Sequence, residues 1–351
     1  MLKNICVISL LALSFSVHSA QAASLPGIPE FIDEMVARHH FKRAELEKVF
    51  DRAQHLPVVI EAISRPATTK PWLEYRAAFV NPERIRLGLK FWNKYRQALR
   101  SAEQKYGVPQ EIILAVIGVE TVYGQDAGAF RTLDALTTLA FDYPRRAEFF
   151  RNELENYLLL AREQQLDLLA IRGSYAGALG IPQFMPSSYR NYAVDFNGNN
   201  RIDLLREAMD AIGSVANYLK SYGWDAGNQH TGDPLSNEGA AQLKHPVAVQ
   251  VQVRENNGIG ETAATRTLAA WSAAGVAPGE DIDQAETARL IDFTLAESKE
   301  FWLVFNNFEV IARYNNSDFY AMSVFQLAEA LKAARKINPA KINPARINPA
   351  K

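Results

Sequence analysis

The stretch PQEIILAVIGVETVYG, residues 109–124, sets one carboxylate, Glu120, where chemistry is possible. A proline at a first helical position with Gln-Glu behind it starts a helix, and Gly124 is placed to end it. Ile113, Val116, Ile117 and Glu120 then share one stripe at helical spacings of three and four. A carboxylate on an apolar stripe is desolvated, which disfavours its charged form and raises its pKa. A general acid for glycosidic or acyl chemistry needs that property near neutral pH. The same residue also reads as a glutamate in the last turn of a core helix, tipped into water or paired with an arginine.

Three further groups could serve such an acid. Arg145 and Arg146 start a helix after Pro144, where the helix dipole disfavours cations. Either a carboxylate across the helix pair explains them, or their guanidinium forks meet an anionic substituent of a substrate. Residues 172–192, RGSYAGALGIPQFMPSSYRNY, combine Gly173, Gly177 and Gly180 with Ser174, Tyr175 and Gln183. Such a backbone can approach a ligand closely and offer it polar groups. In DFNGNNRIDLLREAMD, residues 195–210, Asp195, Asn197, Asn199, the Arg201 carbonyl and Asp203 fall at positions 1, 3, 5, 7 and 9 of a calcium loop. Position 6 is Asn200 rather than glycine, and position 12 is Arg206 rather than glutamate, so the missing carboxylate must come from Glu207 or Asp210. Asparagine tolerates the left-handed backbone the turn requires, and the few formal charges imply weak binding. A polar turn capping the next helix is the plain alternative.

The elements that must position these residues are mostly helical. From about Ile28 to Ala102 the pattern is helical throughout, and PERIRLGLKFWNKYRQALRSAEQKYG reads as one helix from Pro82 to Gly107. Between these helices, PATTKPWLEYRAAFV is too rich in proline for a long helix, which makes Tyr75 and Arg76 loop residues at a candidate cleft edge. From Asp225 to about Val310 the texture changes. HPVAVQVQVREN alternates with period two, LIDFTL and FWLVFNNFEVIARY read as strands, and TRTLAAWSAAG reads as an intervening helix, together a small α+β insertion. The final helix is SDFYAMSVFQLAEALKAARK, followed by KINPAKINPARINPAK, whose regular prolines and low apolar content imply an extended, disordered tail.

Composition narrows the setting. Lys+Arg 38 against Asp+Glu 39 gives a net charge of -1 with no basic stripe, which argues against nucleic acid as a partner. The start, MLKNICVISLLALSFSVHSAQAA, has Lys3, an apolar run from Ile5 to Val17 and small residues Ala20 and Ala22, the form of a secretory signal cut after Ala22. That run is too short to span a bilayer. Cys6, the only cysteine, precedes most of the run, whereas a lipid-attachment cysteine would sit at the cut, so no lipid anchor is expected. The mature chain then has no disulfide and no thiol nucleophile or ligand. With no other long apolar run, it reads as a soluble exported protein.

Taken together, IGVETVYG, YPRRAEFF, GSYAGALGIPQFMPSSY, VDFNGNNRIDL, DAIGSVANYL and VIARYNNSDFYAMSVFQLAEAL resemble the B-type lytic murein transglycosylases, glycoside hydrolase family 103. The resemblance runs from about Ile28 to Lys336. It implies a mainly α (α+β) fold with a lysozyme-like helical core, residues 101–224 and 309–335. An N-terminal helical domain, 23–100, and a small β-containing domain, 225–308, would flank that core, between a signal at 1–22 and a tail at 336–351. It makes Glu120 the catalytic acid/base. Tyr75, Ser174, Gln183, Tyr218, Tyr314, Asn315 and Tyr320 would line the saccharide groove, and Arg145 and Arg146 would meet the peptide stem. Structural calcium would sit on Asp195, Asn197, Asn199, the Arg201 carbonyl and Asp210, although this chain has one extra residue before Asp210 and Asn199 where a relative has aspartate. No catalytic cofactor is implied.

The implied reaction cuts the β-1,4 bond between N-acetylmuramic acid and N-acetylglucosamine in peptidoglycan. The resemblance and the export signal together imply a periplasmic monomer, with other cell-wall enzymes as candidate partners. No second carboxylate accompanies Glu120, since Asp126 lies past Gly124 and Asp142 fits a helix-capping role. A single acid suffices when the substrate's N-acetyl group attacks and its 6-hydroxyl closes a 1,6-anhydro ring. In that scheme Ser174 orients Glu120 and Asn315 the acetamido group, while Tyr218, Tyr314 and Tyr320 give flat apolar contact. The competing readings are a hydrolytic muramidase and a wall-binding scaffold without turnover.

Overall fold

A computed structural model describes residues 25–65, 70–227, 246–254, 264–278 and 282–337. The expected signal, Cys6 and most of the tail lie outside them. No helix among the described residues is long and apolar enough to cross a membrane.

Six helices lead to the one that carries Glu120: α1 (Ile28–His39), α2 (Arg43–Asp51), α3 (Pro57–Ile63), α4 (Trp72–Phe79), α5 (Pro82–Lys94) and α6 (Arg96–Tyr106). Two differ from expectation. Tyr75 and Arg76 lie on α4 rather than in a loop, because Pro71 sits at the N-cap, where its ring obstructs nothing, and Trp72 and Tyr75 are buried. The segment 82–107 is two helices, since Tyr95 leaves helical geometry at φ -109 and ψ 24. The boundary expected at residue 100 falls inside α6.

The Glu120 helix, α7 (Gln110–Thr121), is buried on every side from Ile112 to Val119, so it is a core helix rather than one with a single apolar stripe. Pro109 is its N-cap. It stops at Thr121, before Gly124, as Val122 and Tyr123 turn left-handed at φ 51 and 63. Around it lie α8 (Thr132–Asp142), α9 (Ala147–Glu163), α10 (Pro186–Tyr192) and α11 (Ala208–Ser221). A two-residue ladder joins β1 (Phe130–Arg131) to β2 (Arg172–Gly173) and fixes the start of the glycine-rich loop.

A five-stranded antiparallel sheet follows, in the order β4-β6-β7-β3-β5. Its strands are β3 (Ala248–Val253), β4 (Thr265–Thr267), β5 (Val276–Pro278), β6 (Thr287–Thr294) and β7 (Lys299–Val304), with α12 (Leu268–Ala273) on one face. Alternation splits the strands between two cores. Val249, Val251, Leu290 and Leu303 pack with Trp271 of α12, whereas Ala248, Ile291, Phe293 and Val304 join the main helical core. The run FWLVFNNFEVIARY is therefore half strand: after Val304 it becomes α13 (Asn306–Asn315), and the boundary expected at 308/309 falls inside that helix. The last helix, α14 (Asp318–Ile337), packs along α7.

The sheet braces three helices of the site. The Trp72 indole N–H donates to Glu300 on β7 at 2.8 Å, and its ring stacks on Phe293 at 4.3 Å. Arg289 on β6 donates to Asp318 through both terminal guanidinium nitrogens at 2.9 and 2.7 Å and to Glu309 through Nε at 2.8 Å, tying the sheet to α13 and α14.

Candidate active site

Glu120 is the next-to-last residue of α7, and α14 delivers its partner. The buried Tyr320 hydroxyl donates to Glu120 Oε1 at 2.6 Å. By surface accessibility Glu120 is only half-buried, but the protein packed around its carboxyl pushes the pKa up to about 7, with the Tyr320 hydrogen bond pulling the other way. No second carboxylate is among the groups that shift it. The Glu120 charge in turn reaches three phenols. Tyr320 and Tyr314 are raised well above their ordinary range, by burial first and then by Glu120, and Tyr75 is pushed up to about 12 for the same two reasons.

The aromatic side chains form a continuous wall. Tyr314 stacks on Tyr320 with centroids 6.0 Å apart and planes at 14°, and Tyr218 packs against Tyr314 at 4.8 Å. Apart from Tyr320, their hydroxyls are spent on backbone, Tyr314 donating to the Pro182 carbonyl at 2.6 Å and Tyr218 to the Arg313 carbonyl at 3.2 Å. Tyr75 belongs to a second aromatic group with Trp72, Phe79 and Phe319.

The glycine-rich loop is docked on the end of α7. The Thr121 hydroxyl donates to the Ile181 carbonyl at 2.7 Å and accepts from the Gly124 N–H at 3.0 Å. The Gln183 side-chain amide donates to the Ala127 and Gly180 carbonyls at 3.1 and 3.0 Å. The space beside the glycines is filled by protein, not left open to a ligand. A Cβ on Gly180 would stand 2.2 Å from the Leu204 carbonyl oxygen, and one on Gly177 would stand 2.3 Å from Leu136. Ser174 also differs from expectation. Its oxygen accepts from the Ala176 and Ala178 N–H groups at 3.2 and 3.0 Å, closing its own loop, and the hydroxyl that holds Glu120 is that of Tyr320. Asn315 ends α13 and is exposed.

Arg145 and Arg146 lie in a 3-10 turn, Pro144–Arg146, and are exposed. Among the described residues neither pairs with a carboxylate. The Arg146 guanidinium lies over Phe149 at 4.2 Å. Among the described residues no hydrogen bond or ion pair joins the pair to the Glu120 cluster.

Sequence reading missed the residues that fix the end of α7. Arg84, on α5, donates to the Gly118 carbonyl, to the Val119 carbonyl at 3.4 Å and to the Ala78 carbonyl at 3.3 Å, so one guanidinium clamps the Glu120 helix to the end of the Tyr75 helix. Tyr123 turns back into the slot between α5 and α7. A Cβ on Gly118 would lie 2.7 Å from its hydroxyl and one on Gly88 2.4 Å from it. A glycine inside each of two helical patterns was the available signal for this close approach. Val122, a β-branched residue in the left-handed region, stores backbone strain beside the acid.

In the calcium-like loop, Asp195 Oδ1 accepts from the Gly198 and Asn199 N–H groups at 2.8 and 3.1 Å, and Oδ2 from Asn200 at 2.7 Å. Asn200 adopts the left-handed turn at φ 65. Asp210, fully buried at the start of α11, accepts from Phe196, Asn197 and Asp203 N–H groups at 2.9, 3.3 and 2.9 Å. Arg206 reaches Asp203 at 3.5 Å instead of supplying a carboxylate. Two carboxylates, two side-chain amides and a carbonyl are hard oxygen donors of the kind calcium takes.

The chain matches the family described as Transglycosylase SLT domain over residues 25–329. It is 42% identical over 323 residues to the membrane-bound lytic murein transglycosylase B of Escherichia coli, spanning 89% of this chain and 84% of that protein. It superposes on the calcium complex of the Escherichia coli lytic transglycosylase Slt35 with a TM-score of 0.79 at 41% identity, covering 91% of this chain and 96% of that one. A more distant likeness is Pseudomonas aeruginosa SltB3 bound to NAG-anhNAM-pentapeptide, with a TM-score of 0.73 at 28% identity over 87% and 78% of the two chains.

Proposed function

This chain belongs to the Transglycosylase SLT domain family and is a lytic murein transglycosylase of the cell envelope, and from that premise we propose that Glu120 alone supplies its acid and base. The bond cut is the β-1,4 linkage between N-acetylmuramic acid and N-acetylglucosamine. The reading rests on one observation: Glu120, raised to about 7, has a phenol as its hydrogen-bonding partner and no carboxylate among the groups that shift it.

Protonated Glu120 gives its proton to the glycosidic oxygen. The muramyl N-acetyl carbonyl oxygen attacks the anomeric carbon as the C–O bond to the leaving sugar breaks. The Glu120 carboxylate, steadied by the Tyr320 hydroxyl, then takes the proton of the muramyl 6-hydroxyl. O6 displaces the acetyl oxygen from the anomeric carbon, which closes the 1,6-anhydro ring and returns Glu120 to its acid form without consuming water. The intramolecular attack removes much of the entropic barrier. The bound NAG-anhNAM-pentapeptide of the Pseudomonas relative has the form of such a product.

Tyr75, Gln183, Tyr218, Tyr314 and Tyr320 flank the strand in this scheme, with Asn315 at the acetamido group, and exposed Arg145 and Arg146 are free to meet the carboxylates of a peptide stem. Helices α6 to α11 with α13 and α14 form the catalytic unit, supported by the helices before it and the sheet between its halves. Asp195, Asn197, Asn199, the Arg201 carbonyl and Asp210 would hold a calcium ion, which would stiffen the loop leading into α11 and take no part in the reaction. On this reading the protein works in the periplasm. Mass spectrometry of digested sacculi tests the reaction, because anhydro-muropeptides weigh one water less than hydrolysed ends, and recovery of reducing ends alone would establish a hydrolase.

A further inference from the structure

Arg84 is a half-buried cation with no carboxylate among the groups that shift it, and burial pulls its pKa below the ordinary value. It also stands in the first turn of α5, where its own N–H donates to the Asn81 cap at 2.9 Å and the dipole of that helix disfavours a cation. Its own helix therefore does not account for the charge. What it reaches does: the C-terminal ends of two other helices, where a cation is favoured.

Each of those ends carries a carbonyl that its own helix does not satisfy. On α7 the left-handed turn at Val122 and Tyr123 swings the Tyr123 N–H to the Ile117 carbonyl at 3.3 Å, so the Val119 carbonyl loses its helical donor. On α4 the residue four beyond Ala78 is Pro82, which has no N–H to give. Arg84 serves both, donating to Gly118, to Val119 at 3.4 Å and to Ala78 at 3.3 Å, with the Asn81 amide as a second donor to Ala78 at 3.3 Å.

The gripped carbonyls stand next to working residues. Val119 immediately precedes Glu120, and Ala78 lies about one helical turn after Tyr75, the phenol that the Glu120 charge reaches. We propose that Arg84 is a positioning residue for the reaction: by bonding both helix ends at once it fixes the separation of Tyr75 and Glu120, and so holds the acid against the glycosidic oxygen. A planar fork can span carbonyls on two helices, whereas a lysine ammonium is a single point. The inference rests on Glu120 being the acid, as proposed above.

Arg84→Lys keeps the charge and removes the fork. In the full chain, assayed on soluble glycan strands at a temperature where circular dichroism shows it folded, kcat should fall roughly 10- to 100-fold with KM nearly unchanged. The pH at which activity declines should not move, since the charge remains. Tyr75→Phe should cost less in this background than in the wild type, because the two positions are no longer held in register. A folded Arg84→Lys with wild-type kcat, a loss explained by a displaced pH limb, or strictly additive losses with Tyr75→Phe would each overturn the inference. Amide hydrogen exchange at Val80 and Val122 reads the clamp without turnover and should quicken roughly 10-fold at both. Unchanged exchange at either end overturns it too. Should the lysine variant not fold, Arg84→Gln carries the kcat and exchange measurements. Lysis by Glu120→Gln would instead remove the proposed acid, and the exchange result, which needs no acid, tells the two failures apart.

Discussion

The Tyr320 phenol and the Glu120 carboxyl, 200 positions apart in the chain, meet in a 2.6 Å hydrogen bond between the last helix and the central one. This bond favours the carboxylate while burial favours the acid, and burial prevails, placing Glu120 near pH 7. Activity that needs the acid form should fall as pH rises through about 7, with about nine-tenths of the enzyme competent one unit below and about one-tenth one unit above. Tyr320→Phe removes the stabilisation of the carboxylate, so the Glu120 pKa should rise and the falling limb move to higher pH, with a lower maximal rate. Profiles of kcat/KM for both proteins check the direction, and a limb displaced to lower pH would contradict it.

Glu120→Gln keeps the shape of the side chain and removes its proton transfer. Lysis of sacculi should drop by roughly 10²- to 10⁴-fold while sedimentation with sacculi persists. Turbidity and pull-down assays separate the two effects. Residual lysis near the wild-type level would assign the acid elsewhere.

Arg84 satisfies carbonyls at the ends of two helices, so Arg84→Leu should cost about 2 kcal/mol in urea unfolding. Gly118→Ala should cost a similar amount, because its methyl would press on Tyr123. An unchanged midpoint in both variants would show that the end of α7 holds without them.

Calcium should raise the melting temperature of chelator-treated protein, with a Kd of roughly 10⁻⁴–10⁻³ M given the low ligand charge. Asn199→Asp adds one formal charge to the donor set and should tighten binding several-fold. Calorimetry with and without the ion reads both, and a melting temperature indifferent to calcium in either protein would exclude the site.

The candidate acid was legible in the sequence because Glu120 follows an unbroken apolar run from Ile112 to Val119, between a proline and a glycine. Part of the sheet was legible too, since period-two alternation marks β3 and the short apolar run LIDFTL marks β6, whereas β4 was hidden at the start of a segment read as helix. Tyr75 was misplaced because proline reads as a breaker when it is in fact an N-cap, and only the contacts of Trp72 with Phe293 and Glu300 decide that α4 forms. The switch from β7 to α13 was hidden inside one apolar run, where periodicity cannot tell strand from buried helix. Arg84, Thr121 and the inward turn of Tyr123 act through backbone carbonyls and a slot between helices. No spacing of residue types records such contacts, apart from the pair of helical glycines that leaves room for the ring.

Because α14 closes the fold, synthesis reaches the glutamate long before the phenol that steadies it. A chain cut short before Tyr320 would lack both the packing of α14 along α7 and the phenol that meets Glu120, and with them the setting on which the proposed reaction depends.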